Sequence, residues 1–262
     1  MTAPQQFDLA AVERALTGTR FAHRLQHFAS VDSTNSLLLA AAAEGAPEGT
    51  VYVADEQTAG RGRGAHEWHS PAGDGLYVSV LIRPPLPLRE ALWISLATGL
   101  AAQNAVRATA GLDIDIRWPN DLLLGGKKCG GILVETSVEG PTLRFAVIGI
   151  GINVNHAQLP GDLSAIATSL RIETGRTHPR EPLLATLLRA LDLELTHLEG
   201  DASNLLERFT AASTWVRGKR VHIAEGGGYT GTTDGLDVHG FLQVVEDNGT
   251  RHTVLSGGVR EA

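Results

Sequence analysis

Cysteine, methionine and aromatic residues are scarce in this chain: one Cys, one Met and 5% Phe, Trp and Tyr among 262 residues. The single thiol, Cys129, excludes an internal disulfide framework and any zinc site built from several cysteines, and it suits a reducing compartment, the cytoplasm. A basic excess is also missing, with 22 Lys and Arg against 29 Asp and Glu and a formal net charge of -7. Broad nucleic-acid binding needs clustered cations along the phosphate backbone, so any anion site must be local. Long apolar runs are absent: "LWISLATGLAAQNAV" is broken by Gly99, Gln103 and Asn104, and "MTAPQQFDLA" lacks the basic start and apolar stretch of a signal peptide. No His-Glu-x-x-His, Gly-x-Ser-x-Gly or Walker A pattern occurs, and the ten histidines show no ligand spacing.

What remains is an ordinary globular composition, 43% hydrophobic, enough for one large domain with a small satellite. Helices are predicted over Phe7–Leu16, from Ser33 or Thr34 to just before Gly45, over Pro87–Ala108, within Pro182–Leu198 and over Asn204–Ala212. Strands are predicted for "TVYVADEQ", "GLYVSVLIRP", "IDIRWPN" and "TLRFAVIGIGINV", and for "DLLLGG" and "GGILVETSVEG" around a Gly-Gly-Lys-Lys turn. The second of these strands alternates Leu76, Val78, Val80 and Ile82 on one face. From Val216 onward short strands alternate with turn residues, and Asn248-Gly249 marks a hairpin because both residues tolerate positive φ.

Four segments carry candidate chemistry. "GRGRGAHEW" (residues 60–68) joins two strands and combines glycines, which let a backbone approach a ligand, with two arginines whose planar donors suit carboxylate or phosphate. In "RWPNDLLLGGKKCGGILVE" (residues 117–135), Pro119 forces Trp118 toward an extended shape and leaves Asn120 and Asp121 at a turn. Lys127 and Lys128 follow, on opposite faces of an extended segment, so one of them at most faces a site. "VIGIGINVN" is a strand running into a glycine loop, and "SVDSTN" is a helix start. Singly, turn and capping chemistry account for each.

Together and in order, the four segments resemble the biotin protein ligases, the biotin–[acetyl-CoA-carboxylase] ligase family, in the form without an N-terminal DNA-binding domain. The resemblance covers essentially the whole chain and implies an α+β fold: a central mixed, mainly antiparallel sheet with flanking helices over residues 1–214, and a small SH3-like β-barrel over residues 215–262. It implies ATP-dependent activation of biotin as biotinyl-5′-adenylate, with Mg2+, followed by transfer to a lysine of the biotin carboxyl carrier protein of acetyl-CoA carboxylase; neither DNA nor membrane is an expected partner. By matched position, Lys128 and Arg63 would be catalytic. Ser33, Thr34, Asn35, Gln57, Gly60, Arg61, Gly62, Arg63, Lys128, Gly131, Gly149 and Gly151 would surround biotin, while Arg61, Arg63, Trp68, Asn120, Asp121, Lys128 and Asn153 would face the adenylate. Ala65 stands where the family has its third loop glycine, and Arg117 replaces the more frequent lysine before Trp-Pro-Asn-Asp. Two alternatives stay open at this point: a lipoate or octanoate ligase on the same scaffold, and a nucleotide- or RNA-binding protein using the Arg-Gly loop.

Overall fold

The structure, a computed structural model, describes residues 7–64, 66–256 and 258–262. Helix α1 (Leu9–Ala15) is capped by Asp8, whose carboxylate accepts from the Ala11 amide at 2.9 Å. Strand β1 (Leu25–Phe28), which the sequence pattern did not single out, pairs in parallel with β2 (Val51–Ala54). Between them α2 (Thr34–Ala43) starts where the Ser33 hydroxyl accepts from the Ser36 amide, satisfying a donor that the first helical turn leaves unpaired.

Strand β3 (Gly75–Ile82) runs antiparallel to β2, and the arginine loop connects the two as expected. Helix α3 (Leu92–Ala110) begins later than its apolar pattern suggested, because a short 3-10 turn (Leu88–Glu90) follows Pro87. It ends at Gly111, whose φ of 71° is the left-handed conformation glycine adopts without steric cost. Strands β4 (Asp115–Arg117), β5 (Asp121–Leu124), β6 (Lys127–Glu139) and β7 (Thr142–Asn153) follow. Gly125 and Gly126, both at positive φ, form the two-residue turn between β5 and β6. Four helices complete this part: α4 (Leu163–Ile166), α5 (Leu170–Thr174), α6 (Arg180–Gly200) and α7 (Leu205–Ala212).

The seven strands lie in the order β1-β2-β3-β7-β6-β5-β4, antiparallel except for the β1–β2 pair. Both faces are covered. Leu76, Val78, Val80 and Ile82 pack in the main core with residues of α3 and α6, such as Ile94, Leu96, Leu184 and Leu188. The opposite face of β3 presents Tyr77, Ser79 and Leu81, and there Leu81, Tyr52, Phe145 and Val147 pack with Leu38 and Ala42 of α2. That small cluster anchors α2 beside the sheet, with each fully buried large side chain contributing about 1.5–3 kcal/mol.

The chain then forms β8 (Arg217–Ile223), β9 (Tyr229–Leu236), β10 (Leu242–Val245), β11 (Arg251–Val254) and β12 (Val259–Glu261). They make an antiparallel sheet in the order β11-β10-β9-β8-β12, with β11 and β12 at its edges. This is the small C-terminal β unit that was expected; among the described residues its edge strands β11 and β12 do not pair with each other. In the β10–β11 turn only Gly249 takes a positive φ, 86°, while the Asn248 side chain accepts from the Thr250 amide. The two sheets share one core: Val221, Ile223, Leu242 and Val244 join the cluster that contains α3 and α6. Just beyond β4, the indole N–H of buried Trp118 donates to the Gly240 carbonyl, between β9 and β10, at 2.9 Å. Among the described residues no helix is long and apolar enough to cross a membrane.

Candidate active site

Sheet register builds a floor. Tyr77, Gly151 and Gly131 lie opposite one another across β3, β7 and β6, and Ser79, Gly149 and Leu133 form the next row on the same face. A side chain at either β7 glycine would fill the space above: a Cβ on Gly149 would lie 2.5 Å from Asn35 Oδ1, and one on Gly151 2.5 Å from Trp68 Nε1. The glycines therefore lower the floor so that α2 and the arginine loop can close over it.

The walls bring together most of the residues the sequence singled out. Ser33, Thr34, Asn35, Gln57, Arg61, Gly62, Arg63, Trp68, Asn120, Lys128, Gly131, Gly149 and Gly151 line one cavity of about 50 Å³. Gly60, Asp121 and Asn153 stand off its wall. Gly60 pins the base of the arginine loop, its carbonyl accepting the Trp68 amide at 2.8 Å, and Asn153 is buried with its amide donating to the Thr168 carbonyl at 3.0 Å. The question raised by Ala65 falls outside the described residues. Tyr77, Ser79 and Leu133 also line the cavity. They belong to the opposite face of strands recognised for their core-facing residues, and Ser79, one hydroxyl in the apolar run "LYVSVLI", was the available signal.

The two ends of the cavity differ in chemistry. At one end, polar groups satisfy each other away from water: the Thr34 amide and hydroxyl both donate to Gln57 Oε1 at 3.0 Å, Gln57 donates to Ser70 at 3.0 Å, and Ser79 Oγ lies 2.7 Å from Asn35 Oδ1. This is a compact set of donors and acceptors inside a mostly apolar pocket. At the other end lie cations. Lys128 Nζ is 2.5 Å from Asp121 Oδ1, Arg117 donates to Asp121 Oδ2 at 2.6 Å, and Arg63 donates to Asn120 Oδ1 at 3.0 Å. Burial opposes ionisation of Asp121, yet Lys128 and Arg117 outweigh it and hold the carboxyl below its usual range. Lys127 points the other way, exposed, with Nζ donating to the Ser164 carbonyl at 3.1 Å.

Trp68 packs beside the cationic end. Its ring packs close to Gly131 and Gly151, Lys128 Nζ sits 5.4 Å from the ring centroid, and the indole N–H is buried without a hydrogen-bond partner. The cavity, about 50 Å³, is narrow where the indole lies against the glycine floor. Cys129, beside Lys128, faces the core; burial pushes its thiol up to about 12, which removes it as a nucleophile. Among the described residues no group of three or more His, Cys, Asp and Glu side chains could hold a metal ion.

Comparison with known proteins agrees with this arrangement. The biotin/lipoate A/B protein ligase family pattern matches residues 27–153. The chain is 35% identical over 228 residues to the bifunctional ligase/repressor BirA of Bacillus spizizenii, covering 84% of this chain and 69% of that one. It is 34% identical over 241 residues to the biotin–[acetyl-CoA-carboxylase] ligase of Mycobacterium tuberculosis, covering 90% of this chain and 87% of that protein. A solved biotin protein ligase from Aquifex aeolicus, in complex with biotin and ATP, superposes with a TM-score of 0.79 at 29% identity, covering 92% of this chain and all of that one. The chain belongs to the biotin/lipoate A/B protein ligase family and is homologous within it to the biotin–[acetyl-CoA-carboxylase] ligases.

Proposed function

We propose that the chain ligates biotin to a lysine of a biotin carboxyl carrier protein, using ATP. The observation that carries this is the two-ended cavity: a neutral hydrogen-bonding end at Ser33, Thr34, Asn35, Gln57 and Ser79, and a cationic end at Arg63 and Lys128, joined by a glycine floor. A cyclic urea carries both donors and acceptors and fits the first end; a carboxylate meeting a phosphate fits the second.

In the first step a biotin carboxylate oxygen attacks the α-phosphorus of ATP, forming biotinyl-5′-adenylate and releasing pyrophosphate. Lys128 and Arg63 stabilise the negative charge that crowds between acid and phosphate, Lys128 as a point charge and Arg63 as a planar donor set. In the second step the neutral amine of the carrier lysine attacks the acyl carbon, an amide forms, and AMP leaves. Arg61 and Gly62 would close over the acyl phosphate, with Trp68 and Asn153 on the nucleotide side. Asn120 holds Arg63, and Asp121 holds Lys128. Both Asp121 oxygens are engaged by cations, so the protein presents no free carboxylate to Mg2+ here, and the metal would enter on the nucleotide phosphates. Residues 1–214 would carry this chemistry and residues 215–262 would brace it, in a reducing cytoplasm that suits the free thiol.

The test is incubation with biotin, ATP, Mg2+ and a carrier domain. The expected result is a biotin-sized mass gain on one carrier lysine, and its absence refutes the proposal. Competition by lipoate and octanoate checks the scaffold alternative, since the neutral end of the cavity and not the cationic end sets the choice of acid.

A further inference from the structure

The floor rows described above continue by one more step. Leu81 lies opposite Val147, and Val147 opposite Glu135, so Glu135 emerges on the cavity face just where the glycines end. Its two carboxylate oxygens go to different parts of the site. Oε2 accepts from the Asn35 side-chain amide at 2.9 Å, and Oε1 accepts from the Arg61 guanidinium at 2.5 Å. Asn35 is buried, and its amide oxygen is taken by Ser79. Its orientation is thereby set from both sides: oxygen toward β3, nitrogen toward Glu135. Arg61 donates its other terminal nitrogen to Ser36 Oγ on α2 at 3.0 Å. The arginine loop is thus fastened at its base through the Gln57–Ser70 bond, at Arg61 through Glu135 and Ser36, and at Arg63 through Asn120.

We propose that Glu135 is a positioning residue that couples the neutral end of the cavity to closure of the arginine loop, because one carboxylate orients Asn35 and holds Arg61 at once. This rests on the assignment of biotin to that cavity. A ligand head group that fixes Asn35 fixes the acceptor for Arg61, and a loop held at Arg61 in turn keeps Asn35 oriented; the coupling is reciprocal. The Arg61 and Glu135 side chains are 41% and 25% exposed, and so accessible a pair contributes little to global stability. Its effect therefore falls on how long ligand stays bound.

The full-length chain is tested as Glu135→Gln, Arg61→Ala and the double variant, with biotin and ATP as the probes. Three quantities are read: KM for biotin in adenylate formation, kcat at saturation, and the rate at which preformed adenylate leaves the protein. Glu135→Gln is expected to raise KM and adenylate release by about tenfold each, the scale of one charge-assisted bond, with kcat within about twofold. Glu135→Asp, which keeps the charge one methylene short, should fall between wild type and Glu135→Gln and serves if the amide variant folds poorly. In the Arg61→Ala background Glu135→Gln should lose most of its effect on release, keeping only the part that acts through Asn35. Wild-type KM and release in Glu135→Gln, additive effects in the double variant, or a loss confined to kcat would each overturn the coupling. Failure of the wild type to form adenylate at all would instead remove the assignment of biotin on which it rests.

Discussion

Lys127 and Lys128 are adjacent and chemically identical, so replacing each by alanine isolates placement. Lys128 Nζ is 2.5 Å from Asp121 and lines the cavity, whereas Lys127 is exposed and its Nζ donates to the Ser164 carbonyl at 3.1 Å. For folding, breaking a buried ion pair costs about 3–5 kcal/mol, but Lys128 is 32% exposed and Arg117 remains on Asp121, which reduces the expected cost to about 1–2 kcal/mol. For chemistry, loss of one preorganised charge at a developing anion lowers kcat by about 10²–10³, or about 2.7–4 kcal/mol. The activity loss in Lys128→Ala therefore exceeds its stability loss. Lys127→Ala should change adenylate formation by less than about twofold and stability by no more than about 0.5 kcal/mol. Biotin-dependent pyrophosphate exchange reads the first quantity and urea denaturation the second. Equal activity losses in the two variants, or a Lys128→Ala defect no larger than its unfolded fraction, would refute the placement of catalysis on Lys128.

Gly149→Ala places a methyl group 2.5 Å from Asn35 Oδ1, and equilibrium dialysis should show biotin binding weakened by about tenfold or more, with a stability loss of about 1–3 kcal/mol in urea denaturation from displacing the buried Asn35 side chain; unchanged affinity would mean that the pocket floor lies elsewhere. Trp118→Phe removes the donor to the Gly240 carbonyl and should cost about 1 kcal/mol in urea denaturation, and no cost would show that bond to be dispensable. His156 is 1% exposed with both ring nitrogens unpartnered, and burial lowers its pKa from 6.5. The unfolded chain takes up that proton first, so His156 costs no stability above pH 6.5 and costs progressively more as pH falls below it; His156→Leu should flatten the dependence of the urea midpoint across that range, and an identical slope in both chains would exclude the histidine. Cys129, pushed up to about 12, should resist iodoacetamide at neutral pH until the chain is unfolded, which mass spectrometry reads directly.

The strongly periodic parts of the fold were legible in the sequence. Helices α2, α3, α6 and α7 and strands β3 and β7 carry long apolar patterns with clear stops, and their ends shifted by only a few residues. Strand β1 was not legible, because "LQHF" is four residues long, half of them polar, and its strand character comes from pairing with β2. The strand order within the second sheet was not legible either: alternation shows that strands exist but not which edges meet. At the site, the glycines and arginines stood out as residues, whereas the choice of Lys128 over Lys127 came only from the family resemblance. Ser79 and Glu135 did not stand out. Each looks like an ordinary strand residue until cross-strand register sets it opposite Gly149 or Val147.

The bond between Trp118 and Gly240 has a consequence in time. The two residues are 122 positions apart, and at about 5–20 residues per second the ribosome needs roughly 6–24 s to make the intervening chain. Through that interval the indole N–H that the folded core buries has no carbonyl to meet. The segment it braces, with Asn120 and Asp121 just downstream, holds Arg63 and Lys128. The cationic end of the pocket therefore gains this brace only after Gly240 has been made, in the same interval in which the shared core receives its last residues.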